Sequence, residues 1–138
     1  MRNIFDDEHV TVTLENGCLH LGWTKDVVDG PEAVELARRL TEALGRVVRE
    51  APPKSMTMLV DLMVIQKPAP KANAVFLEWL RRDWRSFRAT AFASRNTLLR
   101  STIKVASLLP GIHVAGFATV EEARAHLEKQ VVLEPVAG

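Results

Sequence analysis

The sequence predicts a single α/β domain: a mixed, mostly parallel sheet of about five strands with four helices, in the order ββαβαβαβα. Three observations carry this reading. Apolar runs of strand length alternate with amphipathic stretches of helical period, a pattern that implies parallel strands joined by right-handed crossovers. Around Asn16-Gly17 the chain instead alternates apolar and polar residues on both sides, and Asn-Gly is the strongest short hairpin signal because both residues tolerate positive φ. Finally, Met56 opens the run MTMLVDL, which does not alternate and so reads as a strand covered on both faces. The 138 residues fit one domain, with its core over residues 9–129.

Taken in order, residues 1–8 form a polar lead. Val10, Val12 and Leu14 then share one face of a strand over residues 9–14, and Leu19, Leu21 and Trp23 share one face of a strand over residues 18–23. Asp29 or Gly30 is placed to cap the first helix, with Pro31 in its first turn and Glu32 placed for a capping box with Asp29. Ala33, Leu36, Ala37, Leu40, Ala43, Leu44, Val47 and Val48 recur at helical spacing, and Ala51-Pro52-Pro53 stops the helix. The central strand covers residues 56–62. Pro68 and Pro70 punctuate the loop that follows, and a second helix over residues 71–85 carries Ala72, Val75, Phe76, Trp79 and Leu80 toward the core. Trp84 and Phe87 are expected to be partly exposed at its end.

Residues 89–93 form a short strand around Phe92. Ser94-Arg95-Asn96 offers cap residues for a third helix over residues 97–109, which Pro110-Gly111 ends. A last strand spans residues 113–117, and Thr119 with Glu122 forms a T-x-x-E capping box for a last helix with Val120, Ala123 and Leu127 inside. The tail VVLEPVAG either crosses an edge or stays loose.

Composition narrows the chemistry. With 47% hydrophobic and 25% charged residues the chain is ordinary globular protein, and no window approaches a membrane span or a signal peptide, so the expected compartment is the cytoplasm. The single cysteine, Cys18, excludes an intramolecular disulfide and reads as a small core or edge residue. The net charge of +1 hides an uneven spread. Residues 1–35 hold two basic residues against eight acidic, a net −6, whereas residues 67–104 hold nine basic against Glu78 and Asp83, a net +7.

Candidate chemistry is thin. His9, His20, His113 and His126 fall in no metal-ligand spacing, and only His9 and His20 are placed to approach each other, across the hairpin; satisfied strand histidines are the expectation. No nucleophile elbow, dinucleotide fingerprint or P-loop occurs. The sequence therefore points to no catalytic residue, no metal and no cofactor. Asp61 reads as a carboxylate that accepts loop amides rather than as a general base. The cluster worth following is electrostatic. Lys67 and Lys71 border the loop after the central strand, Arg95 and Asn96 begin the third helix, and Arg100 and Lys104 continue a polar strip at i, i+4. If the two strands are neighbours, both loops meet at the carboxyl edge of the sheet, where ligands of open α/β sheets dock, and free helix amides beside Lys and Arg suit an anion. Solubilising charge is the plainer account of the same residues.

This order resembles the STAS-type domain of anti-anti-sigma factors, in its SpoIIAA-like (STAS/SEC14-like) branch. The residues that carry the resemblance are the Asn16-Gly17 hairpin, the helix ELARRLTEAL, the strand MLVDL with Asp61, the stretch AFASRNTLLRSTIKV, and the ending GFATVEEARAHL with its T-x-E-E-A helix start. The resemblance implies a non-enzymatic regulatory or signalling module. Phosphoregulated members of the wider family carry a serine in a D-S-[ST]-G pattern after the central strand. Here residues 66–71 read QKPAPK, with no Ser, Thr or Gly, so that mode of regulation is not expected. The first functional expectation is binding of a protein partner through the loop edge after the central strand, compatible with a homodimer. The alternative is a small carrier that holds an apolar or acidic (anionic) ligand between sheet and helices. Nucleic-acid binding through the arginines of residues 81–88 is the weakest of the three.

Overall fold

A computed structural model of the protein describes residues 1–97, Arg100 and residues 114–133. Its sheet has six strands: β1 (Arg2–Asp6), β2 (Val10–Glu15), β3 (Cys18–Trp23), β4 (Met56–Asp61), β5 (Phe87–Ala93) and β6 (Val114–Phe117). They lie side by side in chain order. The pairings β1–β2 and β2–β3 are antiparallel, and β3–β4, β4–β5 and β5–β6 are parallel. Three helices complete the described residues: α1 (Pro31–Val48), α2 (Pro70–Asp83) and α3 (Val120–Leu133). The third helix expected over residues 97–109 has Thr97 and Arg100 in helical conformation, and the rest of it lies outside the described residues, as do His113 and residues 134–138.

The MTMLVDL run is an interior strand, as its lack of alternation requires. The first five residues of β4 are buried, with Met58 and Leu59 at 0% and 2% exposure. The two faces of the strand meet different layers. Met58 and Val60 pack with Val10, Val12, Leu19, Leu21 and the inner stripes of α1 and α2, whereas Leu59 packs with Ala89, Ala91 and Ala93 against Ala123 and Leu127 of α3. At the hairpin, Asn16 and Gly17 both take positive φ (51° and 75°), the geometry a two-residue turn between twisted strands needs, and the register pairs Val12 with Leu21 and Leu14 with Leu19.

Several expectations are corrected. The polar lead is in fact an edge strand. β1 pairs with β2 through a bulge at Ile4, and the bulge, with Asp6, blunts an edge that would otherwise be open. Phe87 is buried rather than partly exposed, because it begins β5 and a bulge at Arg88 turns it to the helix side of the sheet. There its ring meets Trp79 edge-on at 6.0 Å. The second helix stops at Asp83, not at residue 85. A 3₁₀ turn over Trp84–Ser86 follows, tied to the end of α1 by Ser86 Oγ donating to the Val48 carbonyl at 2.9 Å.

At the start of α1 no side chain caps the helix, so the Asp29–Glu32 box does not form. Pro31 at the first helical position supplies no N–H to satisfy, and the Val34 amide reaches the Gly30 carbonyl at 3.1 Å. In its buried stripe, Thr41 and Gly45 replace the half-buried Ala43 and Val47. At α3 the Thr119 cap forms, with Oγ1 accepting the Glu122 amide at 3.2 Å, but the Glu122 carboxylate takes the Thr119 hydroxyl at 3.1 Å rather than the Thr119 amide, so the box forms in part.

The two-faced burial of β4 makes its middle residue the test of the architecture. Met58→Ala should lower the unfolding free energy by ~2–5 kcal/mol, the usual cost of a large-to-small change in a packed core. Urea denaturation followed by circular dichroism checks this, and a loss below ~0.5 kcal/mol would mean that the strand is not interior.

Candidate functional site

Because β3, β4 and β5 run parallel, their carboxyl ends open on one edge of the sheet, and the loops that leave them are forced together there. The loop after β4 is shaped from its first residue. The Leu62 amide bonds the Ala93 carbonyl at 2.8 Å, extending the β4–β5 pairing by one step. Asp61 Oδ1 accepts the Met63 amide at 3.0 Å, a local turn and the loop-amide role expected of this carboxylate. The Ile65 amide then turns back to the Leu62 carbonyl at 3.0 Å.

The loop is next clamped at Gln66. Its amide donates to Asp26 Oδ1 at 3.2 Å, and its carbonyl accepts from Asn96 Nδ2. Asp26 belongs to the loop after β3 and Asn96 to the segment after β5, so the backbone of one residue, through its N–H and its C=O, ties three loops together. Asn96 is oriented in turn by Ser94, which is fully buried and whose Oγ accepts the Asn96 amide at 3.0 Å; the Ser94 amide bonds the Phe117 carbonyl at 3.0 Å.

The expected cluster is brought to this edge in large part. Lys67 lies one residue past the clamp, Lys71 in the first turn of α2, and Arg95 beside Asn96; all three cations are exposed and none makes an ion pair among the described residues. Helix α2 starts at Ala69 without a side-chain cap, so the positive end of its dipole faces the same edge. Arg100 is half-buried, and its Nε has no hydrogen-bond partner among the described residues. Lys104 lies outside the described residues. Asp26, Gln66 and Ser94 were not among the expected site residues. The Ser94-x-Asn96 turn is a local signal that could have been read, whereas Asp26 and Gln66 are distant in sequence and carry no shared motif.

Beside the clamp the structure opens an apolar slot of about 90 Å³ between the sheet, α1 and α2. Its floor is Leu36, Leu40, Val60 and Phe92, all buried; its rim is half-exposed and includes Val27, Ile65, Ala69 and Ala72. Ala72, Val75 and Phe76 are only half-buried, so the expected inner stripe of α2 closes fully only at Trp79 and Leu80.

The opposite face of the sheet carries a wider, open groove of about 690 Å³ between the hairpin strands and α3, lined in part by Cys18, His20, Thr57 and Arg124. Burial lowers the His20 pKa below the ordinary 6.5, and Arg124 lowers it further against the pull of Asp61. His9 and His20 do not approach each other as the hairpin spacing allowed. His20 stands opposite Thr13, while the His9 ring sits on Asp7 at 3.1 Å. No group of three or more His, Cys, Asp or Glu is placed to hold a metal ion among the described residues.

No family model matches the chain, and no curated protein does. Among solved structures, it is similar to the crystal structure of an uncharacterised protein of the DUF3478 family with a SpoIIAA-like fold, from Shewanella loihica PV-4. The two share 13% sequence identity with a TM-score of 0.64, over 86% of this chain and 91% of that one. At that identity the likeness concerns the fold alone, and the fold is the STAS-type, SpoIIAA-like one that the sequence resembles.

Two outcomes follow from this geometry. Asn96→Ala should speed amide exchange across residues 62–66 and cost ~0.5–1.5 kcal/mol, the worth of one hydrogen bond; unchanged exchange there would show that Asn96 does not hold the loop. For His20, the fold favours the neutral ring, so its contribution is intact above pH 6.5. It is lost as the pH falls from 6.5 toward the lowered folded value, where the unfolded chain binds more protons. A ring-proton NMR titration of His20 should give a midpoint below 6.5 that rises in Arg124→Ala, and a midpoint at or above 6.5 would contradict the assignment.

Proposed function

We propose that this SpoIIAA-like domain is a non-enzymatic regulatory module that binds a protein partner through the loop edge after β4. The observation behind the reading is the clamp at Gln66. It fixes the loops after β3, β4 and β5 to one another and presents Lys67, Lys71 and Arg95 without ion-pair partners among the described residues. A surface meant only for solubility needs charge, but it does not need three loops tied through the backbone of one residue. Binding surfaces of pre-organised complexes move little on association, and a clamped loop set meets that condition before any partner arrives.

The groove of about 690 Å³ beside α3 has the volume of a small-molecule site but is open and lined in part by Glu15, Arg124 and Glu128. The apolar slot, the better support for a carrier, falls short of the ~300–1,000 Å³ of such sites at about 90 Å³. That size suits a side chain better than a lipid, which favours the protein-partner reading. The loop of residues 66–71 offers no hydroxyl, so control by phosphorylation at that loop forms no part of the proposal. No helix among the described residues is long and apolar enough to cross a membrane, and the cytoplasm is the compartment we propose.

The test is affinity capture with a lysine-reactive cross-linker. Partner cross-links should concentrate on Lys67 and Lys71, and the double variant Lys67→Glu, Arg95→Glu should lower partner recovery about tenfold, since reversed rim charges act on association and its salt dependence. Full retention of every partner by the double variant would overturn the reading.

A further inference from the structure

We infer that the apolar slot beside the Gln66 clamp is a socket for one aliphatic side chain of an acidic partner segment. The inference rests on the partner-binding reading above and specifies the chemistry of what binds.

No described side chain fills the slot. Four of the residues that α1 and the start of α2 give to its lining are alanines, Ala33, Ala37, Ala69 and Ala72, beside the larger Leu36, Leu40, Asn73 and Phe76. An apolar cavity of ~150 Å³ is known to accept benzene. One of about 90 Å³ therefore has room for a group of four or so carbons, the size of a leucine or isoleucine side chain. Exposed apolar side chains also stand in the two loops that supply rim residues. Among the described residues the exposed large apolar side chains are Met1, Val28 (86%) and Val64 (39%). Two of these three adjoin rim residues in sequence, Val28 next to Val27 and Val64 next to Ile65. An apolar rim around an apolar hollow excludes water from an inserted side chain, the arrangement of an interface anchor.

Charge around the mouth selects the neighbours of that anchor. On the β3–α1 side stand Asp26 and Asp29, and Asp26 is occupied by the amides of Gln66 and Val27. On the other side stand Lys67, Lys71 and Arg95, which have no ion-pair partners among the described residues. A partner whose anchor is followed by carboxylates on the α2 side complements this division, whereas a basic partner would meet three like charges.

The probes are three acetylated, amidated hexapeptides: one with a single leucine followed by two glutamates, a counterpart with alanine for the leucine, and a counterpart with lysines for the glutamates. Titration into the ¹⁵N-labelled full chain should shift the amides of Ile65, Ala69, Ala72 and Phe76 with the first peptide, at least tenfold more weakly with the second, and not at all with the third. Ala72→Leu, which fills the slot from a helix position that tolerates leucine, should weaken the first peptide at least tenfold while leaving the rest of the spectrum native. If that variant does not fold, Ala69→Leu fills the slot from the loop instead. Equal binding of the leucine and alanine peptides, or full binding by a folded slot-filled variant, overturns the socket. If such a variant keeps the peptide but Lys67→Glu, Arg95→Glu loses it, the edge reading stands and the socket alone fails; if neither variant has an effect, both fail. Hexanoate or hexanol saturating the slot while every peptide stays out would make it a small-ligand site and would also overturn the inference.

Discussion

The double-sided burial of β4 is the constraint from which the remaining architecture follows. A strand with Met58 and Val60 on one face and Leu59 on the other has no face to give to water, so it needs a layer on each side and a strand on each edge. Parallel neighbours meet the second need, and a parallel neighbour can be reached only by a crossover long enough to be a helix. The helices α1 and α2 are those crossovers and supply the first layer; α3, entered after β6, supplies part of the second. The layers differ in weight. The α1–α2 side is built from leucines, valines and aromatic rings, while β5 offers α3 only Ala89, Ala91 and Ala93, which let that helix lie close. Parallel order also decides where the loops go. Three carboxyl ends on one edge are a consequence of burying β4, not a separate design.

How far the sequence disclosed this depends on whether the deciding contact is local. The Asn16-Gly17 hairpin, the β4 run and the Thr119–Glu122 cap are local, and each was legible because the residues that determine the geometry sit within a few positions of one another. β1 was missed because its five residues, with a bulge at Ile4, show no alternation; the strand exists through its pairing with β2. Phe87 was misjudged for a similar reason, since a bulge at Arg88 reverses which face it takes, and a bulge is fixed by the neighbouring strand. At the edge, the meeting of the Lys67 loop with the Arg95-Asn96 segment followed from the neighbouring strands alone. The clamp that joins Asp26, Gln66 and Asn96 did not, because its hub is the backbone N–H and C=O of Gln66, which leave no signature in side-chain identity.

The uneven charge of the chain acquires a spatial meaning in the same frame. The acidic first part becomes the hairpin side of the sheet and the loop entering α1; of the basic middle, Lys67, Lys71 and Arg95 come to the exposed flank of the loop edge, whereas Arg81, Arg82, Arg85 and Arg88 lie at the other end of α2 and the start of β5. Asp26 stands at the border, with its carboxylate taken up by the Gln66 and Val27 amides rather than by a lysine. A carboxylate satisfied by backbone N–H groups leaves nearby cations uncompensated, which is what a surface requires if it is to attract an anionic partner instead of closing on itself.

The slot has a cause in packing as well as a use in binding. Helix α2 is propped from its middle onward by rings: Phe76 lies 5.3 Å from Trp79 and 6.2 Å from Phe92, and Trp79 meets Phe87 at 6.0 Å. Rings of that size hold the helix off the sheet, and at its near end the alanines of both helices are too short to refill the space. Leucine at Ala72 would have closed the gap at little cost in helix propensity. The prop is itself imperfect, for the buried Trp79 Nε1 finds no hydrogen-bond partner among the described residues, a defect that ordinarily costs ~1–3 kcal/mol. A wedge that keeps an unsatisfied donor and a pair of helices that decline to close over alanine are each unremarkable alone. They meet beside a loop that the fold pins from both sides, and there the same departures from good packing leave a hollow with a rigid rim.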